Sequence, residues 1–194
     1  MNNVFIEGPV QTGKSTLLRT ILREKYGPEL DGVYGFTSQR ITDANDNILG
    51  FRLAPAAAEL SVGLDTFSAR SIANVDNVFK YFTPAGPQVN MDVFETAGIE
   101  YMDEALSNAK AGRTHVILLD EIGGHELESA AFRTRLYELL DSDCLCAGVI
   151  KSAGNTRRMD PALIELNSQL HKKIFATDNR DDFERLLRNL IKSI

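Results

Sequence analysis

Gly8-Pro9-Val10-Gln11-Thr12-Gly13-Lys14-Ser15 carries the spacing G-x-x-x-x-G-K-[ST] of a phosphate-binding loop. Before it, Val4, Phe5 and Ile6 make a short apolar run that stops at Gly8-Pro9, as a buried strand entering a turn does. After it, Leu17, Leu18, Ile21 and Leu22 recur on one helical face until Gly27-Pro28 ends the pattern. The motif therefore sits between a strand and a helix, where its chemistry works. Loop N–H groups and the positive end of the helix dipole surround a β-phosphate, Lys14 places a point charge on the β and γ oxygens, and the Ser15 hydroxyl binds magnesium. The expected nucleotide-binding set is Gly8, Pro9, Val10, Gln11, Thr12, Gly13, Lys14, Ser15 and the following Thr16.

Outward from this unit the chain alternates between strand and helix patterns. Residues 33 to 41 and 48 to 53 are strand-like and flank the turn formers Asp43 to Asn47, so they are expected to form a β-hairpin. The stretch from Pro55 to Pro87 mixes Ala, Gly, Ser and Asn with short apolar pieces and reads as irregular, with one strand near Phe79 to Phe82. Val89 to Phe94 alternates as a further strand. Ile99, Met102, Leu106 and Ala109 mark a helix ending near Gly112. His115 to Leu119 is an unbroken apolar strand; helix 126 to 140, strand 144 to 151, helix 160 to 170, strand 173 to 177 and helix 180 to 192 follow. Strands separated by helices require a parallel sheet with crossovers on its faces. The expected fold is α/β, a three-layer αβα arrangement around a mainly parallel sheet. One domain is expected over residues 1–194, with a hairpin and irregular insert at 31–95.

The strand His115 to Leu119 ends in Asp120-Glu121. In nucleotide hydrolases with such a loop, an Asp at this place sits beside the metal, and a following Glu orients and deprotonates the attacking water. Asp120 and Ser15 are therefore the expected metal residues, and Glu121 and Lys14 the expected catalytic ones. Asp120-Glu121-Ile122-Gly123 also reads as D-x-x-G, whose Gly123 N–H is placed to contact a γ-phosphate. The guanine-reading N-K-x-D pattern does not occur in the chain.

The composition sets limits on partners and compartment. The chain has 194 residues with 43% hydrophobic and 25% charged side chains, ordinary values for a globular domain. Its 21 basic and 27 acidic side chains leave a net charge of −6, so no global positive field attracts nucleic acid or anionic lipid. No window approaches a membrane span, and the N-terminus lacks a signal-peptide pattern. Cys144 and Cys146 lie two apart in an apolar run that suits a strand, which points to a reducing cytoplasm. Nothing in the sequence singles out a protein partner.

Taken together, these residues resemble the THEP-type nucleoside-triphosphatases, the family that includes the cancer-related nucleoside-triphosphatase. The resemblance rests on the loop at 8–15, Gly35-Phe36-Thr37 with Arg40, Gly50-Phe51, Phe94-Glu95, Asp120-Glu121-Ile122-Gly123 with Glu126-Leu127, Ser129 and Phe132, and Asn179-Arg180. It implies a P-loop fold with a RecA-like sheet, Mg2+ dependence, and slow hydrolysis of ATP, GTP and other nucleoside triphosphates to diphosphate and phosphate. Two positions depart from the pattern. Gln11 stands where such loops usually carry a third Gly, so the backbone there must avoid positive φ or carry strain. Gly124-His125 stands where the family tends to have Lys-Met.

Other residues have weaker claims on the site. Arg157-Arg158 lie in a loop suited to a lid, Arg40 and Arg52 lie on facing hairpin strands, and Lys151 ends a strand on the edge where α/β ligands bind. Each is a candidate for stabilising the transferred phosphate. His115, His125 and His171 share no metal spacing and read as structural or surface residues. Asn179-Arg180 follow a strand end and flank either a base or a helix start, and Glu95 and Glu100 suit a helix N-terminus. Hydrolysis is the leading function. A small-molecule or nucleotide kinase, with Glu121 deprotonating an acceptor hydroxyl, is the alternative, and a nucleotide-gated binding module is a third reading.

Overall fold

A computed structural model describes residues 3–57, 66–152 and 160–194. The described strands are β1 (Asn3–Ile6), β2 (Val33–Thr42), β3 (Ile48–Pro55), β4 (Thr66–Ser68), β5 (Val78–Thr83), β6 (Gly86–Val89), β7 (Val116–Ile122), β8 (Leu145–Ile150) and β9 (Phe175–Thr177). The helices are α1 (Lys14–Tyr26), α2 (Ile99–Lys110), α3 (Ala130–Leu140), α4 (Pro161–His171) and α5 (Arg180–Lys192). The strands join in one sheet of order β6-β5-β3-β2-β7-β8-β1-β9, with β4 also paired to β2. Its parallel part runs β2-β7-β8-β1-β9, and β3, β5 and β6 extend it antiparallel. β8 thus separates the strand that leads into the loop at 8–15 from the strand that carries Asp120, the RecA-like order.

Each face of the sheet is closed by helices, giving the expected three layers. On one face Leu18, Ile21 and Leu22 of α1 and Phe183, Leu187 and Ile191 of α5 pack on Val4, Ile6, Leu118 and Ala147. On the other, Met102 and Ala105 of α2, Phe132 and Leu136 of α3 and Leu163 and Leu170 of α4 pack on Phe5, Phe36, Ile117 and Leu119. The central strands are buried from both sides, which is why they read as unbroken apolar runs instead of alternating. Cys146 is fully buried and Cys144 half-buried, both as free thiols.

Three expectations about the segment 31–95 are corrected. β2 is not confined to an insert, because Val33 to Phe36 pair in parallel with Val116 to Leu119 in the heart of the sheet. The strand expected near Phe79 to Phe82 is β5, but it is not alone in an irregular stretch: it forms a second hairpin with β6, whose four residues and Gly-Pro start hid it. Val89 to Phe94 is not a strand: β6 ends at Val89, and a π-helical turn Phe94–Gly98 leads directly into α2. Asn90 turns the chain there, its Oδ1 accepting from the Asp92 N–H at 3.2 Å. Phe94 and Ala97 then serve a helical face, which a short apolar pattern does not separate from a strand.

Candidate active site

The loop at 8–15 crosses the ends of β1 and α1. Gly13, whose φ of 75° is left-handed, stands at the cap position before α1, and no side chain caps the helix N-terminus or places an acid in its first turn. Its orphan N–H groups and dipole are thus available to an anion. Lys14 Nζ lies across the loop, donating to the carbonyls of Gly8 (3.1 Å) and Pro9. Partial burial pushes the Lys14 pKa down, while the charges of Glu121 and Asp120 push it back up. Gln11 has φ 62°, so the loop takes the strained alternative that its missing glycine implies.

Ser15 and Arg19 are four residues apart on α1, one above the other on the same face. That face meets Asp120 at the end of β7. Ser15 Oγ donates to Asp120 Oδ1 at 2.9 Å, and an Arg19 guanidinium N–H donates to Oδ2 at 2.9 Å. Thr37 Oγ1 also donates to Oδ2 at 2.9 Å and accepts from Arg19. Arg19, Thr37 and Asp120 are all buried, so the carboxylate is paired and fixed. Its Oδ1 edge is left toward Ser15 and the loop. Gly35 makes this contact possible, because a Cβ there would lie 2.2 Å from the Leu118 carbonyl oxygen and hold β2 away from β7.

Glu121 follows with φ 70°, at a register shift between Asp120 and Ile122. This kink turns its side chain away from the Asp120 contacts into a cavity of about 60 Å³, bounded also by Phe51, Phe79, Lys80, Glu126 and Lys151. A left-handed non-glycine residue costs roughly 1–2 kcal/mol, and two buried side chains hold the turn against it. Glu126 Oε1 accepts from the Gly123 and Gly124 N–H groups at 2.5 and 2.7 Å, and Asn167 of α4 donates to the Gly123 carbonyl at 3.0 Å. Glu121 stays accessible to solvent, while the protein atoms packed around it partly desolvate its carboxyl. That desolvation raises its pKa; Lys151 and Lys80 oppose the rise, and Asp120 and Glu126 add to it.

Several sequence candidates are now placed. Lys151 joins Glu121 at the cavity. Gly123 has a different contact from the one the D-x-x-G reading expects, since its N–H is engaged by Glu126 and not left for a phosphate. Arg52 bonds Gln39 at 2.9 Å and lies 4.0 Å over the Phe67 ring, and neither it nor Arg40 lines the cavity. Asn179 caps α5, accepting from Asp181 and Asp182 N–H, whereas Arg180 reaches back to donate to the Thr12 carbonyl. His115 stacks on Tyr26, and His125 pairs with Glu128 at the surface. Arg157-Arg158 lie outside the described residues. Sequence reasoning missed Arg19, Thr37 and Lys80. The i, i+4 relation to Ser15 was the available signal for Arg19, and the Gly35-Phe36-Thr37 match for Thr37.

A glycine-rich loop before a helix, joined through one serine to an acidic strand end on a RecA-like sheet, defines a P-loop nucleotide-binding protein. A family model described as NTPase matches residues 3–187, and the chain belongs to that family. Its class is therefore nucleoside-triphosphate hydrolase. The chain is similar to the nucleoside-triphosphatase THEP1 of Aquifex aeolicus (strain VF5), 28% identical over 138 residues that make up 71% of this chain and 70% of that protein. The crystal structure of THEP1 from the same hyperthermophile superposes with a TM-score of 0.62 at 23% identity, covering 99% of each chain, a likeness of fold.

Proposed function

We propose that this protein hydrolyses ATP, GTP and other nucleoside 5′-triphosphates to the diphosphate and orthophosphate with Mg2+. The observation that carries the reading is the 2.9 Å contact between Ser15 and Asp120, with Glu121 turned into the adjacent cavity. The donor set fits magnesium, a hard ion that is usually held by one or two protein oxygens plus substrate phosphates. Ser15 Oγ and Asp120 Oδ1 would hold it, and when bound it supplies positive charge to the β and γ oxygens. Among the described residues no group of three or more His, Cys, Asp or Glu side chains is assembled to hold a metal alone.

The chain's own residues divide the remaining work. Loop N–H groups and Lys14 grip the phosphates, and Arg19 and Thr37 keep Asp120 aimed. Glu121 takes a proton from water as the water oxygen bonds the γ-phosphorus and the bond to the β-phosphate oxygen breaks, leaving a diphosphate. A cavity of about 60 Å³ admits a few waters, each needing roughly 10–15 Å³. Sites for drug-sized ligands run to roughly 300–1,000 Å³, so the space beside Glu121 favours water over a kinase's acceptor. The continuous sheet supports a single domain with β3 to β6 as its extension. The two free thiols suit a reducing cytoplasm, and among the described residues no helix is long and apolar enough to cross a membrane.

Phosphate release from ATP, GTP, CTP and UTP, with and without magnesium, tests the proposal. Comparable magnesium-dependent turnover of several bases supports it. Turnover that appears only after a hydroxyl acceptor is added would replace it with the kinase reading.

A further inference from the structure

Lys80 lies at the centre of β5, the one strand that its sequence offers within an otherwise irregular stretch. In the sheet register it stands opposite Phe51 of β3 and Val89 of β6. Its carbonyl oxygen is approached so closely by Gly50 that a Cβ there would sit 2.4 Å away. The Gly50-Phe51 pair thus does two things: the glycine admits β5, and the phenylalanine supplies a ring beside the Lys80 side chain. Nζ lies 5.9 Å from the centroids of both Phe51 and Phe82. These distances are near the outer limit of about 6 Å for a cation over a ring, so the rings orient the ammonium without satisfying it.

The side chain is half-buried and lines the Glu121 cavity. No hydrogen bond or ion pair engages its ammonium among the described residues. The contrast with Lys151 is informative. A Cβ on Gly124 would meet Lys151 Nζ at 2.3 Å and Glu126 Oε2 at 2.9 Å, so Lys151 is packed into the turn that Glu126 closes. Neither ammonium has a hydrogen bond or ion pair among the described residues, but Lys80 reaches the cavity from β5 and is not wedged against that turn. The Glu121 carboxylate lends it an opposing charge across the cavity without a direct hydrogen bond, so its N–H donors remain open to an arriving anion.

We infer that Lys80 is a catalytic residue that contacts the γ-phosphoryl group from the cavity side while Lys14 holds it from the loop. The inference rests on the hydrolase reading and gives the antiparallel extension a chemical task. In-line transfer moves the phosphoryl group away from the diphosphate toward the attacking water, hence toward the cavity. A donor waiting there acts more strongly on the transition state than on the bound substrate. A donor of this kind is typically worth about 100-fold to 1,000-fold in rate.

The test compares wild type, Lys80→Met and Lys80→Arg by single-turnover hydrolysis of ATP and by equilibrium binding of ADP, with urea unfolding as a check on the fold. Lys80→Met should lose about 100-fold or more in the hydrolysis rate, with ADP affinity and unfolding midpoint unchanged, and Lys80→Arg should recover part of the rate. Hydrolysis by Lys80→Met within about threefold of wild type would overturn the inference and leave the hydrolase reading intact. Equal losses of rate and ADP affinity would also overturn it, by assigning Lys80 a structural role. A wild type that releases no phosphate without an acceptor would instead remove the reading beneath it.

Discussion

Arg19 and Asp120, 101 residues apart in sequence, form an ion pair at 2.9 Å with both side chains almost entirely withdrawn from solvent. The pair fixes the carboxylate through Oδ2 and leaves Oδ1 to Ser15. It links the loop helix to the strand that ends in the proposed base. Removing one partner of a buried pair strands the other charge, which typically costs about 3–5 kcal/mol. Arg19→Met should lower the urea unfolding free energy by an amount in that range, and an unchanged midpoint would show that the carboxylate has other support.

Ser15→Ala and Asp120→Asn should act on magnesium more than on nucleotide, because the proposal places both oxygens on the ion. In a magnesium titration of activity at saturating ATP, the half-saturating concentration should rise in both variants. A value that stays put in either would remove that residue from the metal site.

The pH dependence follows from Glu121. Desolvation at the cavity wall places its pKa above the ordinary carboxylate value, and the charge of Lys151 restrains the rise. A base must be ionised to work, so kcat/KM should fall as pH falls, with a midpoint above the ordinary glutamate value of about 4.3. Lys151→Met should move that midpoint further up; movement downward would contradict the assignment. For folding the sign is reversed from that of a salt-bridged carboxylate. A raised folded-state pKa gives a contribution that is present below the unfolded pKa and lost as pH rises through the folded one. Glu121→Gln should therefore unfold at pH 7 no more readily than wild type.

Gln11 offers a test of strain in the loop. At φ 62° it pays roughly 1 kcal/mol that glycine does not. Gln11→Gly should raise the unfolding free energy by about that amount without weakening ATP binding, since a glycine fits the same backbone. A lower stability would mean that the glutamine side chain makes up the cost through its own contacts.

The parts legible in the sequence were those set by local rules. The loop spacing, the apolar run before Asp120 and the face of Phe183, Leu187 and Ile191 each declare themselves within a short window, and the αβα layering follows from their alternation. Arg19 was not legible as a site residue, because its burial depends on a carboxylate 101 positions away and its neighbours Leu18 and Ile21 read as ordinary helix core. The strand that carries Lys80 was legible near Phe79 to Phe82, but its place at the cavity depends on pairing with β3 and with the four-residue β6, which no local pattern announces. The turn at Phe94–Gly98 carries apolar spacing compatible with either strand or helix, and packing against Phe132 and Phe79 decides it.

The central claim is that Glu121 performs chemistry and does not hold the nucleotide. Glu121→Gln keeps the shape and hydrogen-bonding capacity of the side chain and removes its basicity. Single-turnover hydrolysis of labelled ATP, measured beside equilibrium ATP binding in magnesium, separates the two roles. The account predicts a rate lower by about 100-fold to 10,000-fold with affinity within a small factor of wild type. Hydrolysis retained within a few-fold, with binding intact, would contradict it and move the base to another group.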